Sequence, residues 1–163
     1  VTRIEDSFAQ TPVAGILLGE AHLEEHGRHN QKSHGRSFTG IAGDTARWGG
    51  TSVNYVGHHP KTGYMVGGVV PSKVVPGGAS RSEVRDAIKD FVKQHRETLR
   101  KPGFYLGTWR DDDDGGKVWI DISQRTSTLR AARTVGQERN EIAVFDVKRM
   151  ESIDIGGTGN AEG

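Results

Sequence analysis

The sequence contains no cysteine, which excludes disulfide scaffolds, thiolate zinc sites and cysteine nucleophiles. Apolar residues are also scarce, 33% of the 163 residues, against nearly half in an ordinary globular domain. One large core running through the whole chain is therefore not expected. No apolar run approaches the roughly 18 residues that a membrane span needs, and the stretch 13–18 (VAGILL) is far too short. It has neither a basic segment before it nor a small-residue cleavage site after it, so no secretory signal is expected. Neither charge sign prevails: Lys+Arg 22 against Asp+Glu 21 gives +1, with a pI near 8.2. The field of the whole molecule will not by itself draw the protein onto nucleic acid. There is no Walker loop, no G-x-S-x-G and no recognisable triad. What the chain does have is glycine, 23 residues of it, and a mean hydropathy of -0.60. That composition predicts a compact domain joined to a solvated, loop-rich segment.

The division is predicted near residue 62. Residues 1–62 carry six of the seven histidines, repeated glycines and few apolar clusters, and read as an irregular arm with one short helix over 13–26. From residue 63 the pattern changes. Residues 64–70 (YMVGGVV) have strand composition, with Gly67-Gly68 marking a bulge or a close backbone approach. Ser80 or Ser82 can cap a helix on which Val84, Ile88, Phe91, Val92, His95 and Leu99 recur at helical spacing, until Pro102-Gly103 stops it. Residues 104–109 and 117–123 flank the acidic, glycine-ended loop 111–116 and predict an antiparallel hairpin. A second helix follows from Ser127 or Thr128 to Arg139, with Asn140 as a natural left-handed cap, then a strand over 142–147 and a short edge over 153–155. Residues 156–163 read as a mobile tail. The succession β-α-β-β-α-β over 63–155 predicts an α+β fold, a two-layer sandwich with ferredoxin-like topology favoured.

Alternation sorts the hairpin into two faces. Phe104, Leu106 and Thr108 with Val118, Ile120 and Ile122 belong under the helices; Tyr105 and Trp109 with Trp119, Asp121 and Ser123 face the other way. Aromatic rings on an open sheet face can stack unpaired bases, so Tyr105, Trp109, Trp119 and Ser123 are candidate contacts for single-stranded nucleic acid. A cross-strand Trp109–Trp119 pair, or a cover of this face by other protein, is the structural alternative. The acidic run 111–114 would repel phosphate nearby, lacks the alternation of a calcium loop, and reads as a charged hairpin tip.

For catalysis, His95, Asp121, Arg139 and Asp146 are the acid, base or phosphate-contact candidates of the folded region, with Arg139, Asn140 and Glu141 forming a polar cluster at a helix-to-strand turn. They are expected not to converge. His22 and His26 with Glu25 fit H-x-x-E-H, and His29 lies nearby. Gly27 ends that helix at once, so a solvated histidine cluster is expected there rather than a resident metal, and no cofactor is implied.

Two stretches carry a resemblance. GRHNQKSHGR (27–36) resembles a segment of head-region proteins of actinobacterial tailed phages, including capsid maturation protease extensions and MuF-like minor head proteins. GYMVGG, YLGTW, GKVWIDIS and ERNEIAVFDV together resemble a small module of phage and mobile-element proteins covering roughly residues 63–155. No catalytic residue transfers with it. The resemblance implies a virion or host-cytoplasm location and phage head or portal proteins as partners, and it keeps a delivered effector, nuclease-like or another toxin, as an alternative. The dispersed polar residues favour a non-enzymatic head-associated or accessory role, the aromatic face adds a single-stranded nucleic-acid module as an alternative, and the short apolar runs imply no membrane.

Overall fold

The computed structural model describes residues 37–159. In chain order the elements are α1 (Phe38–Trp48), β1 (Gly50–Asn54), β2 (Tyr64–Val66), β3 (Lys73–Val75), α2 (Arg81–Gln94), the one-turn α3 (Arg96–Leu99), β4 (Phe104–Asp111), β5 (Lys117–Thr126), α4 (Leu129–Glu138), β6 (Ala143–Asp146) and β7 (Glu151–Asp154). The expected hairpin is the centre of the sheet: β4 and β5 pair from Phe104↔Gln124 to Asp111↔Lys117. A 3₁₀ turn, Asp112–Asp114, and two left-handed glycines, Gly115 and Gly116, close it. The tip is braced by Arg110 on Asp112 and Lys117 on Asp114, each at 2.7 Å.

The α+β class holds, with a sheet larger than a four-stranded one. The strand order is β1-β4-β5-β2-β6-β7, with β3 also on β5. Within it, β4-β5-β2-β6 follows the order that a split βαβ succession would give. Its contacts, β4–β5, β5–β2 and β2–β6, are all antiparallel. The glycine interruption divides the strand beside β5. β2 pairs with residues 124–126 of β5 and β3 with residues 118–120, both antiparallel, so they run along β5 as one interrupted strand. The expected bulge is a six-residue excursion, 67–72, that leaves Asp121, Ile122 and Ser123 bonded to a strand on the β4 side only.

Helices cover one face. Ile41 and Ala42 of α1, Val84, Ile88, Phe91 and Val92 of α2 and Leu99 of α3 pack on Val53, Leu106, Val118, Ile120 and Ile122, confirming the inward set read from alternation. α4 packs Ala132 on Val66, Val144 and Ile155 as a second core. The pairing of Val66 with Gln124 puts that core on the same face as Ile120 and Ile122. On the opposite face Met65, Phe145 and Val147 form a third, smaller cluster that includes Tyr105. α2 starts at Ser80 in a capping box with Glu83, and α4 starts at Thr128, whose hydroxyl accepts from the Ala131 amide. Asn140 has φ 58, the left-handed cap expected of it.

Two boundaries are corrected. Residues 38–54, expected in the irregular arm, form α1 and edge strand β1. Phe38, Ile41, Ala42 and Thr45 make a short stripe at helical spacing between the Ser37 cap and the left-handed Gly49. β1 needs little apolar side chain because its backbone pairs with β4 from Gly50↔Trp109 to Asn54↔Tyr105. At the other end, residues 156–159 are not loose: the amides of Gly157 and Gly159 donate to Glu141 and Asn140 carbonyls, and the Thr158 amide donates to Asn140 Oδ1. The expected helix over 13–26 and the His22, His26 and His29 cluster lie outside the described residues.

Candidate functional site

The four acid–base candidates fall into three places. His95 ends α2, its amide donating to the Phe91 carbonyl and its ring resting on the Phe91 ring with centroids 4.6 Å apart. That is the half-buried structural histidine of the helical layer. Asp146 ends β6 opposite Tyr64; its Oδ1 accepts from the Arg149 amide at 3.2 Å and its Oδ2 lies 3.9 Å from Arg149 Nε. It organises the turn into β7 and lines an open cleft of about 590 Å³ with Thr62, Tyr64, Ser127, Lys148 and Arg149. Tyr64 also pairs with Thr126, so Asp146 stands level with Thr126, five positions along β5 from Asp121 and on the other face. The two aspartates therefore do not form a pair.

Asp121 and Arg139 do come into one neighbourhood, and the residue that joins them is Glu141. Arg139 caps α4 and reaches across to the glycine excursion: Nη1 donates to the Gly67 carbonyl at 3.1 Å and Nη2 to Gln124 Oε1 at 2.6 Å. The guanidinium is thereby committed to neutral acceptors. Burial lowers its pKa, opposed by Glu141 and Glu138. Glu141 follows the Asn140 cap, its amide donating to the Gly136 carbonyl. Its side chain passes close to Gly68, where a Cβ would come 2.8 Å from Oε2; the glycine also has φ +76, so the site needs both its missing side chain and its backbone freedom. Asp121 lies over Gly107 of β4, its cross-strand partner, whose own missing Cβ would come 2.7 Å from Oδ1.

Both carboxyls are dry. Asp121 is 8% and Glu141 5% exposed, and Asp121 Oδ1 and Glu141 Oε1 are buried oxygens without a hydrogen-bond partner among the described residues. Burial raises Asp121 to about 7. Glu141 is raised to about 8, by burial first and by the Asp121 charge second, with Arg139 opposing. Among the described residues no group of three or more His, Cys, Asp or Glu is arranged to hold a metal ion.

The aromatic face is closed more than alternation implied. Trp109 and Trp119 stand directly opposite each other, the cross-strand pair that was the structural alternative. Trp109 is 7% and Ser123 5% exposed, while Tyr105 and Trp119 are half-buried. Burial raises the Tyr105 hydroxyl above its ordinary pKa, with Arg125 opposing. Two of the four candidate contacts thus present almost no surface on which a base could stack.

Sequence reasoning placed Glu141 in a polar cluster but did not single it out, because Asp121, whose charge acts on it, and Gly68, which its side chain covers, are remote from it in sequence. The usable signal was an acidic residue set between a helix cap and an apolar strand. A scan against protein-family models, a search of curated proteins and a search of solved structures each return no match to this chain.

Proposed function

We propose that the chain is a phage head-associated or accessory protein without catalytic activity, working through protein–protein contacts. The observation that supports this reading is the disposition of the acid–base candidates. His95 belongs to the helical layer, Asp121 and Arg139 are drawn into a buried polar cluster, and Asp146 is tied to Arg149 beside a cleft that the other three do not line. A substrate needs such groups together within hydrogen-bond reach. An effector reading would require that convergence, and a base-stacking reading would require Trp109 and Ser123 at the surface.

A contact role also has a surface to draw on. Phe38, Ile41, Val53, Val92, Leu99 and Leu106 line a groove of about 290 Å³ between α1, β1 and the α2–α3 turn. Beside it Tyr55 and Val56 are exposed large apolar residues, with the Arg100 guanidinium 5.8 Å from the Tyr55 ring centre. Its partner on this reading is a head or portal protein segment presenting aliphatic side chains. The test is co-sedimentation with purified phage heads. The chain should be retained, Tyr55→Glu should weaken retention at least about tenfold, and His95→Ala should leave it unchanged. Absence of retention, or a host-toxic activity abolished by His95→Ala or Asp146→Ala in a folded chain, would overturn the reading.

A further inference from the structure

The near-neutral charge of the chain hides a division. Residues 4–27 carry five acidic side chains, Glu5, Asp6, Glu20, Glu24 and Glu25, and neither Lys nor Arg. Residues 93–101, around the α2–α3 turn, carry Lys93, Arg96, Arg100 and Lys101 against the one acid Glu97. All four cations are exposed, and among the described residues none of them has an ion-pair partner. Each charged stretch flanks an apolar feature. The acidic one surrounds VAGILL, 13–18, the longest apolar run of residues 1–36. The basic one rims the groove of about 290 Å³: Arg96 lines it, and Arg100 lies over Tyr55, which lines it too.

We propose that residues 13–18 of the same chain seat in this groove, with their acidic flanks meeting the cations at its rim. The groove stands ready for a guest. Asn54 Oδ1 accepts from the Val56 and His58 amides, at 3.1 and 2.8 Å, and this brace holds the turn that presents Tyr55 with 48% of its surface open to water. Seating removes Ile16, Leu17 and Leu18 from water together with that ring, which supplies the affinity, and the rim charges fix the orientation. The place where the chain enters the fold favours its own segment over a foreign one. Residues 1–36 join the described part at Ser37, the cap of α1, and the next residue, Phe38, belongs to the groove wall. Residues 19–36 tether the run to that cap and span up to about 60 Å, so reach sets no limit. Closing such a loop costs entropy that grows only with the logarithm of its length, and the tether supplies an effective concentration on the order of millimolar. Any partner of the groove therefore has to displace a competitor that never leaves. The seating does not depend on the head-associated reading, and its test uses no phage heads, so failure of either one leaves the other standing.

The lack of cysteine makes the test direct. Gln10→Cys in the full chain takes a single nitroxide ahead of the apolar run, and amide signals of the isotope-labelled protein are compared with the nitroxide oxidised and reduced. Signals of Tyr55, Val92 and Leu99 in the groove should be lost in the oxidised form and return on reduction. Those of Ser152 and Asp154 on β7, at the sheet edge opposite β1, should persist in both. Leu17→Asp should restore most of the groove signals. Arg96→Glu should restore part of them; its side chain is exposed and outside the core, so this variant decides alone where Leu17→Asp gives no folded spectrum. A mixture of nitroxide-bearing chain without isotope and isotope-labelled chain without nitroxide separates the chain's own segment from that of a second copy, and should show no loss. Groove signals that persist in the oxidised form, a loss that neither variant relieves, or an equal loss in the mixture would overturn the proposal.

Discussion

A methyl group added to Gly107 would meet the Asp121 carboxylate, and that single contact shows how tightly the sheet is built around its buried acid. Gly107→Ala should cost about 1–3 kcal/mol, because β4 is held between β1 and β5 and cannot shift to relieve the clash. In an Asp121→Ala background most of that penalty should vanish, and a double-mutant cycle by urea unfolding measures the coupling. Additive effects would show that the strain is in the backbone rather than at the carboxyl. Ile120 tests the other face of the same strand. It is fully buried in the larger core, so Ile120→Ala should cost about 2–4 kcal/mol through the cavity it leaves. A loss under about half a kcal/mol would mean that the faces of β5 are reversed.

At the scale of elements, the segment that sequence reading assigned to the arm supplies the clearest test. Ile41 of α1 is 3% exposed and belongs to the main core, so Ile41→Ala should destabilise the chain by about 2–4 kcal/mol in thermal or urea unfolding. A residue on an unpacked arm would give a change near zero. The hairpin, the capped helices and the Asn140 cap were legible because each rests on local chemistry: alternation, a serine or threonine followed by apolar spacing, a left-handed residue at a helix end. α1 and β1 were hidden for the opposite reason. The stripe on α1 contains only Phe38, Ile41, Ala42 and Thr45, and Thr45 is satisfied by Thr108 at 2.6 Å, 63 residues along the chain. β1 is specified by the open edge of β4 rather than by its own side chains. The division of the first strand was likewise unreadable, because β3 is defined by the edge of β5 that it shares with β2. For the site, Asp121 and Arg139 were legible as polar residues among apolar neighbours, whereas Glu141 became a member only once folding had dehydrated it.

On the scale of the whole molecule, charge and shape bear on one partner class together. With 22 basic and 21 acidic side chains the chain offers no net field to gather phosphates. The sheet face that would have to supply specificity has Trp109 and Ser123 buried, and the Asp112–Asp114 turn stands at the end of the same hairpin. Base stacking is worth about 1–3 kcal/mol per exposed ring, and half-buried Tyr105 and Trp119 are separated along the hairpin by residues that offer no platform between them. A titration with single-stranded DNA and RNA at about 0.15 M salt, where unspecific phosphate attraction is screened, should therefore give no change in tryptophan fluorescence and no detectable complex. Lowering the salt should bring at most weak association that Trp119→Ala leaves unaltered. Binding that survives moderate salt and is lost by roughly 1–3 kcal/mol in Trp109→Ala would require the indole to turn outward from its pairing with Trp119, a rearrangement of the central hairpin large enough to register as loss of hydrogen-exchange protection along β4 and β5.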